Sequence, residues 1–587
     1  MTIDFAIPTP VPSSEPYFDI GEGHFPVSTQ SADAQAWFDR GLIWTFAFNH
    51  DEALYSFKQA VAHDPSFAMG WWGLSYRTGG NYNASWAFLE KSQAIGKTLP
   101  IAVEAIERAK SLSSAASPLE NTLIDALAER YPEDLSRRDF QAWEEAYAKR
   151  MRQIYQEHSE NPNIAALFAE SLMFVTPWKL WDLRTGRPAG NSHALEVQQV
   201  LETAMKREDP IANRFHSGIH HLYIHLMEMS SQPELAIPSA DRLRNLLPDA
   251  GHLNHMPSHI DVLVGDYRKA IMANELGILA DNKYIDRART NVDVTKVLRM
   301  HNAMVAVYAA MFNGQFNMAS RYAKLLISWT SREAVEPYAF IVEPWLSVNI
   351  HILVRFGKWD DIKKLELPDD QKFYPYTTAI TYYARGIAFA ATGEVQRAQA
   401  EREGLIGAIE RVPLHWMILP TNTAKNVLKV PLAMLDGEIA YREGNYGEAF
   451  SHLERAIAEY DGLAFGEPWP WMQPVRHAYA ALKLEQGHIE DAMRAYGEDL
   501  GYVDTLPRAC QHPNNVWALH GYLECLVKVG RTQEANLLQP QLRIALAVAD
   551  TKIASSCFCR LVANDVDELS TKANGARATE NGDTCCH

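Results

Sequence analysis

The feature that most constrains this chain is a recurring register of residues suited to paired helices, about 34 residues long. Trp37, Gly41, Trp44, Ala53, Phe57, Ala60 and Pro65 run large, small, aromatic, alanine, large, alanine, proline. Small residues belong where two antiparallel helices touch closely, and large ones fill the space between them. Proline stops the second helix, because it lacks an amide hydrogen and its ring clashes with the preceding turn. The register returns at Gly265-Asp266-Tyr267 with Ala270, Gly314-Gln315-Phe316 with Ala319, and Gly444-Asn445-Tyr446 with Ala449. Gly487 with Ala492 and Gly530 with Ala535 repeat it, and Gly357-Lys358-Trp359 and Gly393 with Ala398 are looser copies. Glycine at these turns predicts a left-handed, helix-ending residue. About nine or ten units fit, so helices joined by short turns are predicted over most of Ser31–Val548.

A chain of 587 residues exceeds what one compact core supports, which suits a repeat array. Its 55 basic and 72 acidic residues leave a net charge of -17. That excess argues against a nucleic-acid partner and against docking on anionic membranes. No apolar run reaches the length of a membrane span. Met1–Phe25 lacks the basic start and apolar core of a signal peptide, so a cytoplasmic protein is expected. All six cysteines lie at or after Cys510, so no disulfide framework supports the chain before it.

Residues 216–259 hold seven of the 21 histidines. Anchoring one unit on Ala236, Ala240, Leu243 and Pro248 makes it span 217–250; the next, anchored on Gly265 and Ala270, spans 251–284. His221 and His225 are then fifth and ninth in one first helix, and His255 and His259 fifth and ninth in the next. Glu228 is twelfth and His252 second. The register resembles the tetratricopeptide repeat, in whose arrays positions two, five, nine and twelve of the first helix line the concave groove. Two neighbouring helices are therefore expected to present the same histidine pair on one wall.

Residues four apart on a helix stand one above the other, and packed helices run about 8–10 Å apart. Four imidazoles so placed can converge on one ion, or on two close ones. Imidazole suits zinc, copper, iron and nickel, and copper, iron or zinc is the expected cofactor. Glu228 is a candidate ligand, an outer partner of a histidine, and the candidate catalytic carboxylate. The absence of thiols disfavours a structural zinc-thiolate centre. Two other readings stand beside this one: a metal-free groove that grips a peptide carboxylate, and simple packing. His216 and His220 are weaker candidates, and His220 occupies the fourth position, which points into the helix pair. His301, His351, His477 and His520 are further groove candidates.

The chain from about Phe25 to Arg560 also resembles a family of bacterial and fungal tetratricopeptide proteins. The stretches that carry the resemblance are Trp37–Leu42 with Phe46–His50, Asp64–Gly73, His216–Glu228, Gly251–Ile260, Pro513–Gly521 and Ser556–Arg560. It implies an all-α, tetratricopeptide-like helical-repeat solenoid, wound as a superhelix, with a His-rich signature beyond what packing needs. Fungal relatives imply a place in specialised metabolism, by association alone.

The expected organisation is an extended segment 1–30, repeats over 31–80, and a helical insertion with linking repeats over 81–210. The His-rich pair occupies 211–284, further repeats 285–430 and 431–564, and a disordered tail 565–587. Cys557 and Cys559 are either a soft-ion pair or two ordinary thiols. Glu467-Pro468-Trp469-Pro470-Trp471 reads as a loop at the groove rim, for packing or for capping a pocket. No phosphate loop, Rossmann fingerprint, nucleophile elbow or His-Glu-X-X-His helix occurs.

The functional expectation is a metal-dependent, oxidative enzyme acting on a small organic molecule in the groove. The alternative is a non-catalytic scaffold that holds a peptide or protein. Carboxylate-gripping grooves place lysine, arginine and asparagine at positions where this chain has histidine and apolar residues, which favours the first.

Overall fold

The computed structural model describes residues 6–131, 134, 136–211, 214–419 and 421–561. Regular structure among them is helical, apart from a two-stranded hairpin pairing Met417–Ile418 with Asn422–Thr423. The chain forms two compact units, Met1–Ile260 with Glu275–Arg299 and Asp261–Asn274 with Met300–His587. The tail expected to be disordered lies outside the described residues.

In the first unit, helices Ala32–Phe46 and His50–His63 form an antiparallel hairpin, and Ala68–Thr78 packs against it. Gly41 and Gly73 both face the Phe57 ring, and a β-carbon at Gly41 would come within 2.6 Å of it. The small-against-large logic of the register is thus met at its first copy. Side-chain caps start the helices: Ser31 accepts from the Ala34 amide, Asn49 from Glu52, and Ser117 and Glu120 cap reciprocally. The insertion is helical as expected, with Trp86–Lys91, Ile95–Ser111 and Pro118–Ala128. The described part of the N-terminal segment is extended. It is tied down where Trp37 Nε1 donates to the Val11 carbonyl at 2.8 Å and the Asp19 amide to Asp249 Oδ2 at 2.6 Å.

In the second unit, hairpins Pro375–Ala391/Val395–Arg411, Lys429–Arg442/Tyr446–Asp461, Val475–Glu485/Ile489–Asp499 and Val516–Lys528/Thr532–Leu546 pack in sequence order. Successive hairpins bury apolar faces against one another, which is the stacking of a tetratricopeptide-like helical-repeat array. Gly265, Gly314, Gly357, Gly393, Gly444, Gly487 and Gly530 all have φ between 61° and 86°. The turn glycines therefore adopt the left-handed conformation that their position predicts.

Four details depart from the sequence reading or sharpen it. Residues 285–300 are largely helical extension, of Tyr267–Arg287 and of Asp293–Phe312. Stretch 332–355 is long and apolar enough by length and composition to cross a membrane, yet it is built of short helical pieces and more than half buried within the protein. Cys557 and Cys559 are joined as a disulfide, which leaves no thiolate pair for a soft ion. Trp469 and Trp471 are buried core residues of a non-helical loop, so packing accounts for them.

Candidate metal centre

Helix Ser217–Met227 carries His221 and His225 one turn apart, with Glu228 at its end. The first helical run of the following repeat is interrupted at Met256, ahead of Pro257, so that His252 and His255 lie on Gly251–His255 and His259 on Pro257–Val264. Nε2 of His221 lies 3.1 Å from Nε2 of His252, and Nε2 of His255 lies 2.7 Å from Nε2 of His259. Ligand atoms of His221, His225 and His252 all fall within 4.8 Å of one another, as do those of His225, Glu228 and His259. Two nitrogens on one tetrahedral ion would sit about 3.3 Å apart, given bonds of about 2.0–2.1 Å. The observed separations are slightly shorter, as for rings that share a proton. None of the six residues is more than 7% exposed.

The ring orientations have definite causes. His221 Nδ1 faces the Phe46 carbonyl at 2.6 Å, so it carries the hydrogen and leaves an Nε2 lone pair directed at His252. Glu228 accepts from Nδ1 of His225 at 2.8 Å and from Nδ1 of His259 at 2.5 Å. One carboxylate thereby sets both tautomers and leaves both Nε2 atoms as donors, the arrangement of a carboxylate–histidine–metal centre. Burial would raise the Glu228 pKa, but the facing His259 and His225 outweigh it and hold the carboxyl below its usual range. Burial, and then the neighbouring imidazoles, pushes His221 and His252 well below the ordinary histidine range; burial also lowers His225 despite Glu228. Burial thus favours the uncharged form of His221, His225 and His252, the form that metal ligation requires.

An aromatic cover closes the cluster. Phe48, in the turn after the first helix, stacks on His225 and on His252 with centroids 5.7 and 5.6 Å apart. It adopts φ 53°, a left-handed conformation uncommon for a bulky residue. Tyr82 lies 5.3 Å from the His225 ring and stacks in turn on Trp178. The expected groove wall is thus corrected: the histidines face each other in the interior, beneath rings from three other segments. The motif Phe46–His50 was the one signal in the sequence for this cover, and nothing in its spacing assigned Phe48 a role.

His216 and His220 stand outside the cluster. His216 caps the helix, accepting from the Ile219 amide at 3.3 Å, and its Nε2 lies 3.2 Å from Asn163. His220 turns into the helix pair, between Glu208 at 2.9 Å and Ser239 at 3.0 Å, as its register position predicts. His301, His351, His477 and His520 belong to the second unit, and all are buried. There His301 sits by Trp345, His351 stands edge-on to Trp471, and His477 Nε2 lies 2.8 Å from Asp499.

No protein-family model matches this chain, and no curated protein does. Among solved structures it resembles yeast Tom70 at 10% identity and TM-score 0.27, over 88% of this chain and 93% of that one. It resembles the Cut9–Hcn1 hetero-tetramer of the APC/C at 11% and 0.23, over 92% and 96%. Naa15/Naa10 bound to HypK-THB matches at 12% and 0.20, over 93% and 74%. Likenesses this remote carry no argument about function, and the repeat assignment rests on the hairpins themselves.

Proposed function

We propose that this protein is a helical-repeat scaffold whose first unit is organised around a buried transition-metal ion: copper, iron or zinc. The observation that carries this reading is the convergence of His221, His225 and His252, with Glu228 orienting His225 and His259 from behind. Nitrogen donors of this kind suit those metals, and a second imidazole pair, His255 with His259, gives room for a second ion or a wider coordination sphere. The near-complete burial of the donors favours an ion that holds the unit together while other surfaces of the array engage a protein or peptide.

A second reading, a metal-dependent oxidative enzyme acting on a small organic molecule, draws on the donor chemistry. A set of imidazoles and one carboxylate without thiolate is typical of catalytic rather than structural sites. Glu228 then acts as a positioning residue for the ligands.

Metal analysis of protein purified without a histidine tag tests the shared premise. Wild type should carry about one or two equivalents, and the His221→Ala/His255→Ala variant almost none. Equal metal in both removes the assignment. Dioxygen uptake by the loaded protein with an added reductant separates the roles: metal-dependent uptake favours the enzyme, and a metal-dependent rise in melting temperature without uptake favours the scaffold.

A further inference from the structure

The second unit contains a mainly apolar cavity with a few polar groups in its wall, separate from the histidine centre. It encloses about 30 Å³ and is lined by Arg355, Glu438, Gln473 and His477, along with the Cys557–Cys559 disulfide. One water needs about 10–15 Å³, so the cavity has room for a head group of a few heavy atoms.

Two of its side chains are unusual. Arg355 is 7% exposed, and its Nη2 is buried with no hydrogen-bond partner among the described residues. Its guanidinium lies over the Trp517 ring at 3.8 Å, which supports the flat face but satisfies none of its N–H groups. His477 Nε2 lies 2.8 Å from Asp499 Oδ2, so Nε2 carries the hydrogen and Nδ1 the lone pair. That Nδ1 is also buried without a partner. Burial brings the His477 pKa down to about 4, against Asp499, and that of Arg355 down to about 9, so at neutral pH the first is uncharged and the second is a cation.

The neighbouring carboxylates each hold other partners, and the charge of Asp499 also acts on Arg355. Asp499 also faces His512 Nδ1 at 2.8 Å and accepts from Asn515 at 2.9 Å, while Glu438 pairs with Arg442 at 2.8 Å. Buried polar groups left unmatched are costly, and here one is a cationic donor and the other a neutral acceptor.

We propose that this cavity binds the head group of a small 2-hydroxy acid, with Arg355 donating to the carboxylate and His477 Nδ1 accepting the hydroxyl hydrogen. A ligand that carries both an anionic oxygen and an adjacent O–H satisfies both atoms at once. Asp499 serves as the positioning residue that sets the His477 tautomer.

Thermal unfolding of the full chain with glycolate, acetate or sodium chloride at matched ionic strength tests this. Glycolate should raise the wild-type Tm saturably by about 2–4 °C, acetate less, and chloride not at all. Arg355→Gln should lose the response to both acids. His477→Gln keeps a donor at the Nε2 position for Asp499 but has no acceptor at the Nδ1 position, so it should respond to glycolate and acetate alike. No wild-type response, or an equal response in Arg355→Gln, overturns the site. Should Arg355→Gln fail to fold, glycolate no better than acetate on wild type, or an undiminished glycolate advantage in His477→Gln, overturns it equally.

Discussion

Oε2 of Glu228 lies 2.5 Å from Nδ1 of His259, 31 residues further along the chain and in the following repeat. The other oxygen of the same carboxylate holds His225, so a single side chain aligns rings from two separate helices. Removing one acceptor should loosen both. Glu228→Gln is expected to weaken metal affinity about 10–100-fold, as outer partners of ligating histidines do. Competition with a chromophoric chelator measures it, and unchanged affinity would remove Glu228 from the centre.

Phe48 is the cover over His225 and His252, and it is 3% exposed. Phe48→Ala should destabilise the protein by about 3–5 kcal/mol, the range for deleting a buried phenyl ring. It should also speed the removal of bound metal by an added chelator. Stability lost with no change in the stripping rate would make Phe48 a packing residue only.

His351 offers a test of pH dependence away from the metal centre. Burial pulls its pKa from 6.5 to about 4. Between those values the unfolded chain binds a proton that the folded chain refuses, so stability falls as the pH is lowered from about 6.5. The contribution is up to about 1.4 kcal/mol per pH unit. His351→Phe should flatten the dependence of unfolding free energy on pH from 6 to 4.5 by about one proton. Urea titrations of both proteins across that range measure the difference, and parallel curves would contradict the shift.

The segment after the last helix is held by a buried ion pair. Arg560 donates to Glu524 through two nitrogens, at 2.7 and 2.9 Å, with both side chains 5% exposed or less. Glu524→Ala leaves a buried guanidinium without its counter-charge and should cost about 3–5 kcal/mol. The double replacement Glu524→Leu/Arg560→Met should recover most of that loss in denaturant unfolding. A double variant as unstable as the single one would mean that packing, not charge, holds the segment.

The repeat architecture was legible because its causes are local. A glycine such as Gly444 ends a helix by its own backbone freedom, and Gly41 against Phe57 is a contact within one hairpin. His221 meets His252 rather than its register equivalent His255, but the approach of His225 to His259 was legible for a related reason. Adjacent units share one register, so equivalent positions meet on neighbouring helices.

The sequence by itself thus determined the hairpins and the convergence of the imidazoles, since both follow from spacing along the chain. Only the tertiary structure decided that the rings lie in the interior, that Phe48 and Tyr82 cover them, and that Glu228 binds two of them from behind. It alone also set Arg355 beside His477, more than a hundred residues away. Those relationships depend on how non-adjacent segments pack, and no periodicity in the chain encodes the distance between them.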